Sequence, residues 1–283
     1  MPCRKYADRA FCWRGVMPLF RWAATVIVAA MLAVPVHAAP DIRMSTTTST
    51  EASGLLPYLL PPFEVRCQCK VRVIAVGTGK ALELGKNGDV DVVLVHARPA
   101  EDEFVAQGHG VNRRDVMFND FIVVGPTADP AGVRGTKDAV AALRKIEATG
   151  TLFISRGDNS GTDQMEKSYW RAAGIAPKGA WYLSAGLGMG EVLTMAAEKR
   201  AYTLTDRATY GAYRARTGLE ILVEGDPRMF NPYGIIAVNP AHHPGANYAG
   251  AMDLINWIIS PEGQRRVAEF KVNGEQLFFP NAK

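Results

Sequence analysis

The sequence predicts an α/β fold, built as one large domain or as two small lobes. Two observations predict it. Short apolar runs alternate with amphipathic, helix-like stretches along most of the chain, the pattern of strands connected by helices. And two of those runs end in loops rich in hydroxyls, Ser45 to Thr50 and Ser155 to Thr162, each followed by a helical pattern. With no repeats and no low-complexity tract, the alternation reads as a parallel α/β architecture.

The elements follow in order. Residues 42–46 read as a first strand and 51–63 as a helix, with Gly54 inside it and Pro57 early. Residues 71–76 are a second strand, and Gly77-Thr78-Gly79 turns into a helix over 80–87. Residues 90–96 form a nearly continuous apolar run, as in a strand covered on both faces. A strand over 121–124 stops at Gly125-Pro126, a helix covers 137–148, and a strand over 152–155 leads into a helix over 163–173. A helix over 189–199, short strands over 202–205 and 219–223, and a strand over 235–238 bounded by Pro232 and Pro240 come next. Helices over 248–259 and 261–272 close the chain, the latter opened by Pro261, whose missing N–H is not needed there. Segments 119–125 and 231–236 read as crossings between lobes, with the closing helices returning to the first lobe.

The N-terminus predicts export. Arg21 precedes an uncharged apolar run over 22–36, and Val36-His37-Ala38 offers small residues where a signal peptidase reads them. The run is shorter than the ~20 residues of a membrane span, and Pro35 interrupts it. Residues 1–38 are therefore expected to be a cleaved signal peptide. Residues 1–16 make a long n-region, and Met17 would by itself open a complete leader.

Removing the leader changes the charge. The chain has 32 basic and 28 acidic residues; residues 1–38 hold five basic and one acidic, which leaves 27 of each. A neutral exported chain without clustered Lys and Arg argues against a nucleic-acid surface. Beyond the leader only Cys67 and Cys69 remain. In a strand they would share a face, and so local a disulfide is awkward, so the favoured reading is two half-buried small residues at a strand start. An oxidised pair is the alternative. His242-His243, in a loop rich in Pro and Gly, reads as solvated, as does Arg113-Arg114, for which a place at a cleft rim is the alternative. No spacing suggests a metal site.

The two loops carry the chemistry. Each presents backbone N–H groups and small hydroxyls at a helix start, where the dipole favours negative charge. A tetrahedral dianion needs many short converging donors, and one Arg can add a charge-assisted contact. The candidate ligand residues are Thr46, Thr47, Thr48 and Ser49 from the first loop, and Arg156, Ser160, Gly161 and Thr162 from the second. Ordinary helix capping explains either loop alone; their joint occurrence in an exported chain favours a ligand. Asp158 would face Arg156 or solvent, or cap the local turn. Gly186 to Gly190 has the wrong spacing for a dinucleotide and reads as a tight helix start at the cleft. No Gly-x-Ser-x-Gly, His-Glu-x-x-His or phosphate-loop motif is present, no triad-like setting is visible, and no catalytic residue or cofactor is expected.

Residues 45–56 (Ser-Thr-Thr-Thr-Ser-Thr-Glu-Ala-Ser-Gly-Leu-Leu), 75–85 (Ala-Val-Gly-Thr-Gly-Lys-Ala-Leu-Glu-Leu-Gly), 110–114 and 119–121 resemble the TupA-type tungstate-binding proteins of bacterial ABC transporters. So do 155–162, 202–207, 223–233 and 271–280, so the resemblance spans nearly all of the chain past the leader. It implies a two-lobed periplasmic-binding-protein fold of the second structural type, with the ligand in the interlobe cleft. The expected division is lobe 1 over 39–122 and 235–283, and lobe 2 over 123–234. The resemblance also implies a periplasmic monomer that captures tungstate, with molybdate as a second ligand, and delivers it to a permease in the inner membrane. Another small oxyanion or an organic acid is the alternative cargo. The Cys67-Gln68-Cys69 insertion and the long leader depart from the pattern, away from the proposed site.

Overall fold

A computed structural model describes residues 40–282. The expected signal peptide lies outside these residues. The chain runs through β1 (Ile42–Thr47), α1 (Thr48–Ala52), α2 (Leu55–Cys67), β2 (Val71–Val76), α3 (Thr78–Asn87), β3 (Val92–Val95), α4 (Arg98–Ala106) and β4 (Gly110–Gly125). It continues with α5 (Ala139–Thr149), β5 (Phe153–Ser155), α6 (Gly161–Ala173), β6 (Tyr182–Ser184), α7 (Met189–Lys199), β7 (Thr203–Asp206), α8 (Arg207–Thr217) and β8 (Glu220–Val223). It ends with β9 (Phe230–Val238), α9 (Tyr248–Ile259), α10 (Pro261–Glu269), β10 (Lys271–Val272), β11 (Glu275–Gln276) and β12 (Phe279–Pro280).

The main sheet has the order β12-β4-β9-β3-β1-β2. β1 is parallel to β2 and β3, but β3–β9, β9–β4 and β4–β12 are antiparallel. The expectation of a parallel architecture is thus corrected: the sheet is mixed. The reason is β4, a long strand whose residues 110–120 pair with β9 and whose residues 121–125 pair with β7 and β8. Its polar first half (Asn112, Arg113, Arg114, Asp115) hides the strand pattern in the sequence.

Strand alternation sends each face into its own core. Val92 and Leu94 pack with Met44, Phe63 and Trp257 on one face of the main sheet, while Val93 and Val95 pack with Phe104 and Ile236 on the other. In the second half of β4, Phe121 and Val123 join Phe153, Trp170 and Tyr202. Ile122 and Val124 join Ile154, Leu193 and Tyr210 on the opposite face. These are two helix-covered sheets, sharing one strand.

Several local expectations change. The helix expected over 51–63 is two helices, broken by Gly54 at φ 78°. The last helix stops at Glu269, and β10 and β11 form a hairpin across Asn273 (φ 52°) and Gly274 (φ 83°), the Asn-Gly signal of a type I′ turn. Arg113 is not solvated: it pairs with buried Glu101 at 2.8 Å and with Asp115 at 2.6 Å. Cys67 and Cys69 are joined as a disulfide. The strand-based objection fails because Cys67 ends a helix. Gln68, in the left-handed region at φ 54°, turns the chain and brings the two Cα atoms within 5.2 Å.

Candidate ligand site

The site gathers at the carboxyl ends of strands, where the helices that follow begin. β1 ends at Thr47, the N-cap of α1, whose Oγ1 accepts from the Thr50 N–H at 3.2 Å. β2 leads through Gly77 into α3, and β3 ends beside His96. β5 leads through Arg156 to Ser160, the N-cap of α6, whose Oγ accepts from the Asp163 N–H at 3.2 Å. Gly188 opens α7 about a van der Waals contact from Thr48: a Cβ on it would stand 3.8 Å from Thr48 Oγ1.

The loop carrying Arg156 is tightly built. Gly157 (φ 63°) and Asn159 (φ 59°) turn it, and the Asp163 carboxylate accepts from both of their N–H groups at 3.1 Å. Gly157 is required twice over, because a Cβ there would also collide with Ser184 Oγ. Asp158 does both things expected of it, pairing with Arg156 and accepting from the Ser160 N–H at 3.1 Å.

Contacts join the two halves. Arg156 Nη2 donates to Thr48 Oγ1 at 3.1 Å, the Gly161 N–H donates to Thr78 Oγ1 at 2.9 Å, and Thr209 Oγ1 lies 3.2 Å from the Ser49 carbonyl oxygen. A Cβ on Gly161 would stand 3.1 Å from the His96 carbonyl oxygen, tighter than ordinary packing. Thr46, Thr47, Ser49, Arg156, Ser160, Gly161 and Thr162 are accordingly buried, and Thr48 is half-buried.

The eight candidate residues come together but are not equivalent. Thr46 spends its proton on the Leu94 carbonyl at 2.8 Å, a link from β1 to β3. Thr47 Oγ1 and Ser49 Oγ lie 3.0 Å apart and face His96 Nε2. Arg156 is 1% exposed, yet its Nε and Nη1 have no hydrogen-bond partner among the described residues, and neither has the buried Thr162 Oγ1. Sealed guanidinium N–H groups cost several kcal/mol unless an acceptor meets them, on the order of 1–3 kcal/mol each or more. They, with the helix starts, are what an anion would satisfy.

The electrostatics fit. Burial, aided by the Arg156 charge, pushes His96 down to about 4, so its ring is neutral at pH 7. Burial pushes Asp206 up, opposed by the hydrogen bonds it accepts from Thr209 at 2.8 and 2.7 Å. The nearby carboxylates of Asp158, Asp163 and Asp206 are thus each engaged by N–H or O–H donors. Among the described residues no group of three or more His, Cys, Asp or Glu side chains is set to hold a metal ion.

Sequence reasoning gave no role to His96, Asn231, Asn119 or Thr209. His96 carried one signal: a polar residue closing an otherwise apolar strand run. Thr78 lies in Gly77-Thr78-Gly79, which the sequence offers equally as a third donor loop and as a glycine turn into a helix.

Two helix-covered sheets that share a strand, with helix starts and one buried arginine facing each other between them, define a solute-binding protein of the periplasmic type. The comparisons agree. A model described as a PBP superfamily domain matches residues 34–262. A putative ABC transporter anion-binding protein of Haloferax volcanii is 50% identical over 247 residues, 86% of this chain and 72% of its own. The tungstate-binding protein TupA of Peptoclostridium acidaminophilum is 49% identical over 86% of each chain. The crystal structure of the tungstate ABC transporter from Geobacter sulfurreducens superposes with a TM-score of 0.76 at 57% identity, covering 81% of this chain and 98% of that one. The chain belongs to the PBP superfamily and, within it, to the family of the TupA tungstate-binding proteins.

Proposed function

We propose that this protein captures tungstate in the periplasm and delivers it to the permease of an ABC transporter in the inner membrane. The observation that carries the reading is the buried Arg156, whose Nε and Nη1 have no partner among the described residues and whose Nη2 reaches Thr48 of the hydroxyl-rich loop. The oxyanion sits between the loop Thr46–Ser49 and Arg156 with Ser160–Thr162. Helix N–H groups add to the side-chain donors. A fully deprotonated tetrahedral dianion suits such a set, whereas phosphate can carry a proton that needs an acceptor. Molybdate shares charge and shape with tungstate and binds as a second ligand.

The working unit is a monomer without catalytic activity, exported by a cleaved leader over residues 1–38. Residues 39–122 and 235–283 form one lobe and 123–234 the other; the change of partners along β4 supports this division.

Calorimetric titration of the mature chain, residues 39–283, with tungstate, molybdate, sulfate and phosphate tests the reading. One-to-one binding of tungstate, with sulfate and phosphate far weaker, is expected. Heat only from another oxyanion or a small organic acid would replace the cargo, and no heat from any would remove the ligand assignment.

A further inference from the structure

His96 is the one buried imidazole among the described residues, and it lies directly beneath the ligand loop. Its Nε2 is 3.0 Å from Ser49 Oγ and 3.1 Å from Thr47 Oγ1. Its Nδ1 is 3.0 Å from Asn231 Oδ1, and Asn231 in turn donates through Nδ2 to Asn119 Oδ1 at 2.7 Å. Asn119 and Asn231 are register partners in the β4–β9 pair, next to the point where β4 changes sheets. The ring stacks on Tyr233 with centroids 4.6 Å apart. A ring nitrogen that faces an amide oxygen carries the proton, so with the Asn231 amide oriented this way Nδ1 is the N–H and Nε2 is a bare acceptor.

That assignment sorts the hydroxyls. Thr50 Oγ1, Thr47 Oγ1 and Ser49 Oγ form a row with spacings of 2.7 and 3.0 Å that ends on Nε2. Each hydroxyl has one proton, and Nε2 has none, so the protons of the row run toward the ring. Thr48 differs: its Oγ1 accepts from Arg156, and its own proton is uncommitted. Thr162 Oγ1 and two Arg156 nitrogens are uncommitted as well.

We propose that His96 is a positioning residue of the oxyanion site: it draws the hydroxyl protons of Thr47 and Ser49 inward, holds the turn that presents Thr48, and leaves the anion to Thr48, Arg156 and Thr162. The inference rests on the tungstate reading above.

Two measurements on the processed protein, purified from the periplasm and stripped of anion, test it. Nitrogen-15 NMR of the wild type at pH 7 reads the tautomer without any substitution; a protonated Nδ1 and unprotonated Nε2 are expected with and without tungstate. A protonated Nε2 overturns the proposal. Tungstate titrations then compare variants. Thr48→Val and Thr162→Val each weaken binding about tenfold or more, and Ser49→Ala weakens it less, through the loss of its bond to His96. His96→Phe keeps the ring stack and loses about tenfold, His96→Gln recovers most of it, and adding Ser49→Ala to His96→Phe costs nothing further. Equal losses for Ser49→Ala and Thr162→Val, or wild-type affinity in His96→Phe, overturn it. A wild type that binds no tungstate removes the parent reading, and this inference with it; a wild type that binds while the variants misbehave removes this inference alone.

Discussion

Replacing Arg156 by alanine is the sharpest perturbation of the site. Two guanidinium nitrogens, Nε and Nη1, are buried and without a partner among the described residues, while Nη2 is engaged by Thr48 and Asp158. A hydrogen bond to a charged group contributes about 1.5–3 kcal/mol, so losing two removes about 3–6 kcal/mol of affinity. Water entering the vacated volume returns part of this. Asp158 acts in the opposite sense: deprived of its partner, its carboxylate repels the arriving dianion. We expect the tungstate Kd to rise at least about a hundredfold, and up to about ten-thousandfold, at 1.4 kcal/mol per factor of ten. The assay is calorimetry, with displacement of a weaker oxyanion where direct titration saturates. Asp158→Asn is the control of sign. It keeps an acceptor for the Ser160 N–H and removes a negative charge, so its affinity should be no weaker than wild type. An Arg156→Ala protein that binds within threefold of wild type at unchanged Tm would refute the reasoning.

Gly161→Ala places a Cβ 3.1 Å from the His96 carbonyl and 3.3 Å from its ring; the lobes then resist closing, and small-angle scattering should show less compaction on adding tungstate than in wild type, with weaker binding. Glu166 accepts from Trp170 at 3.0 Å and Tyr182 at 2.7 Å through one oxygen, and burial pushes its carboxyl up to about 7 from 4.5. A carboxyl raised in the folded state stabilises below 4.5 and loses that contribution as pH rises through 7, by up to about 3 kcal/mol. Glu166→Gln keeps the acceptor and should gain Tm relative to wild type at pH 8 but not at pH 4.5; equal gains at both would sink the assignment. His96, lowered to about 4, acts oppositely between 4 and 6.5, so the comparison must be between variants rather than along one curve. Replacing both Cys67 and Cys69 by Ser opens a very short loop, so chemical denaturation should report a loss of only about 1–2 kcal/mol, with tungstate binding unchanged.

Much of this was legible in the residues. The bounds of β2, α7 and α9 follow from periodicity and capping, and both ligand loops announce themselves because capping chemistry is local: Thr47 and Ser160 accept from N–H groups three residues ahead. The segments α4 and α8 were not legible: in α4 a buried Glu101 stands where an apolar residue would have marked the face, and the buried face of α8 is Ala208, Thr209, Tyr210 and Gly211, with no aliphatic residue larger than alanine. The disulfide was not legible either, since the left-handed turn at Gln68 decides it.

By itself, the sequence determined the α/β class, most strands and helices, the two donor loops and the arginine between them, because each depends on neighbours within one helical turn or one strand. Only the tertiary structure decided which donors face a ligand. Arg156 meets Thr48 across 108 positions, Gly161 meets Thr78 across 83, and His96 meets Asn231 across 135. A hydroxyl's single proton goes to whichever acceptor folding brings within 3 Å or so, and no local pattern encodes that partner.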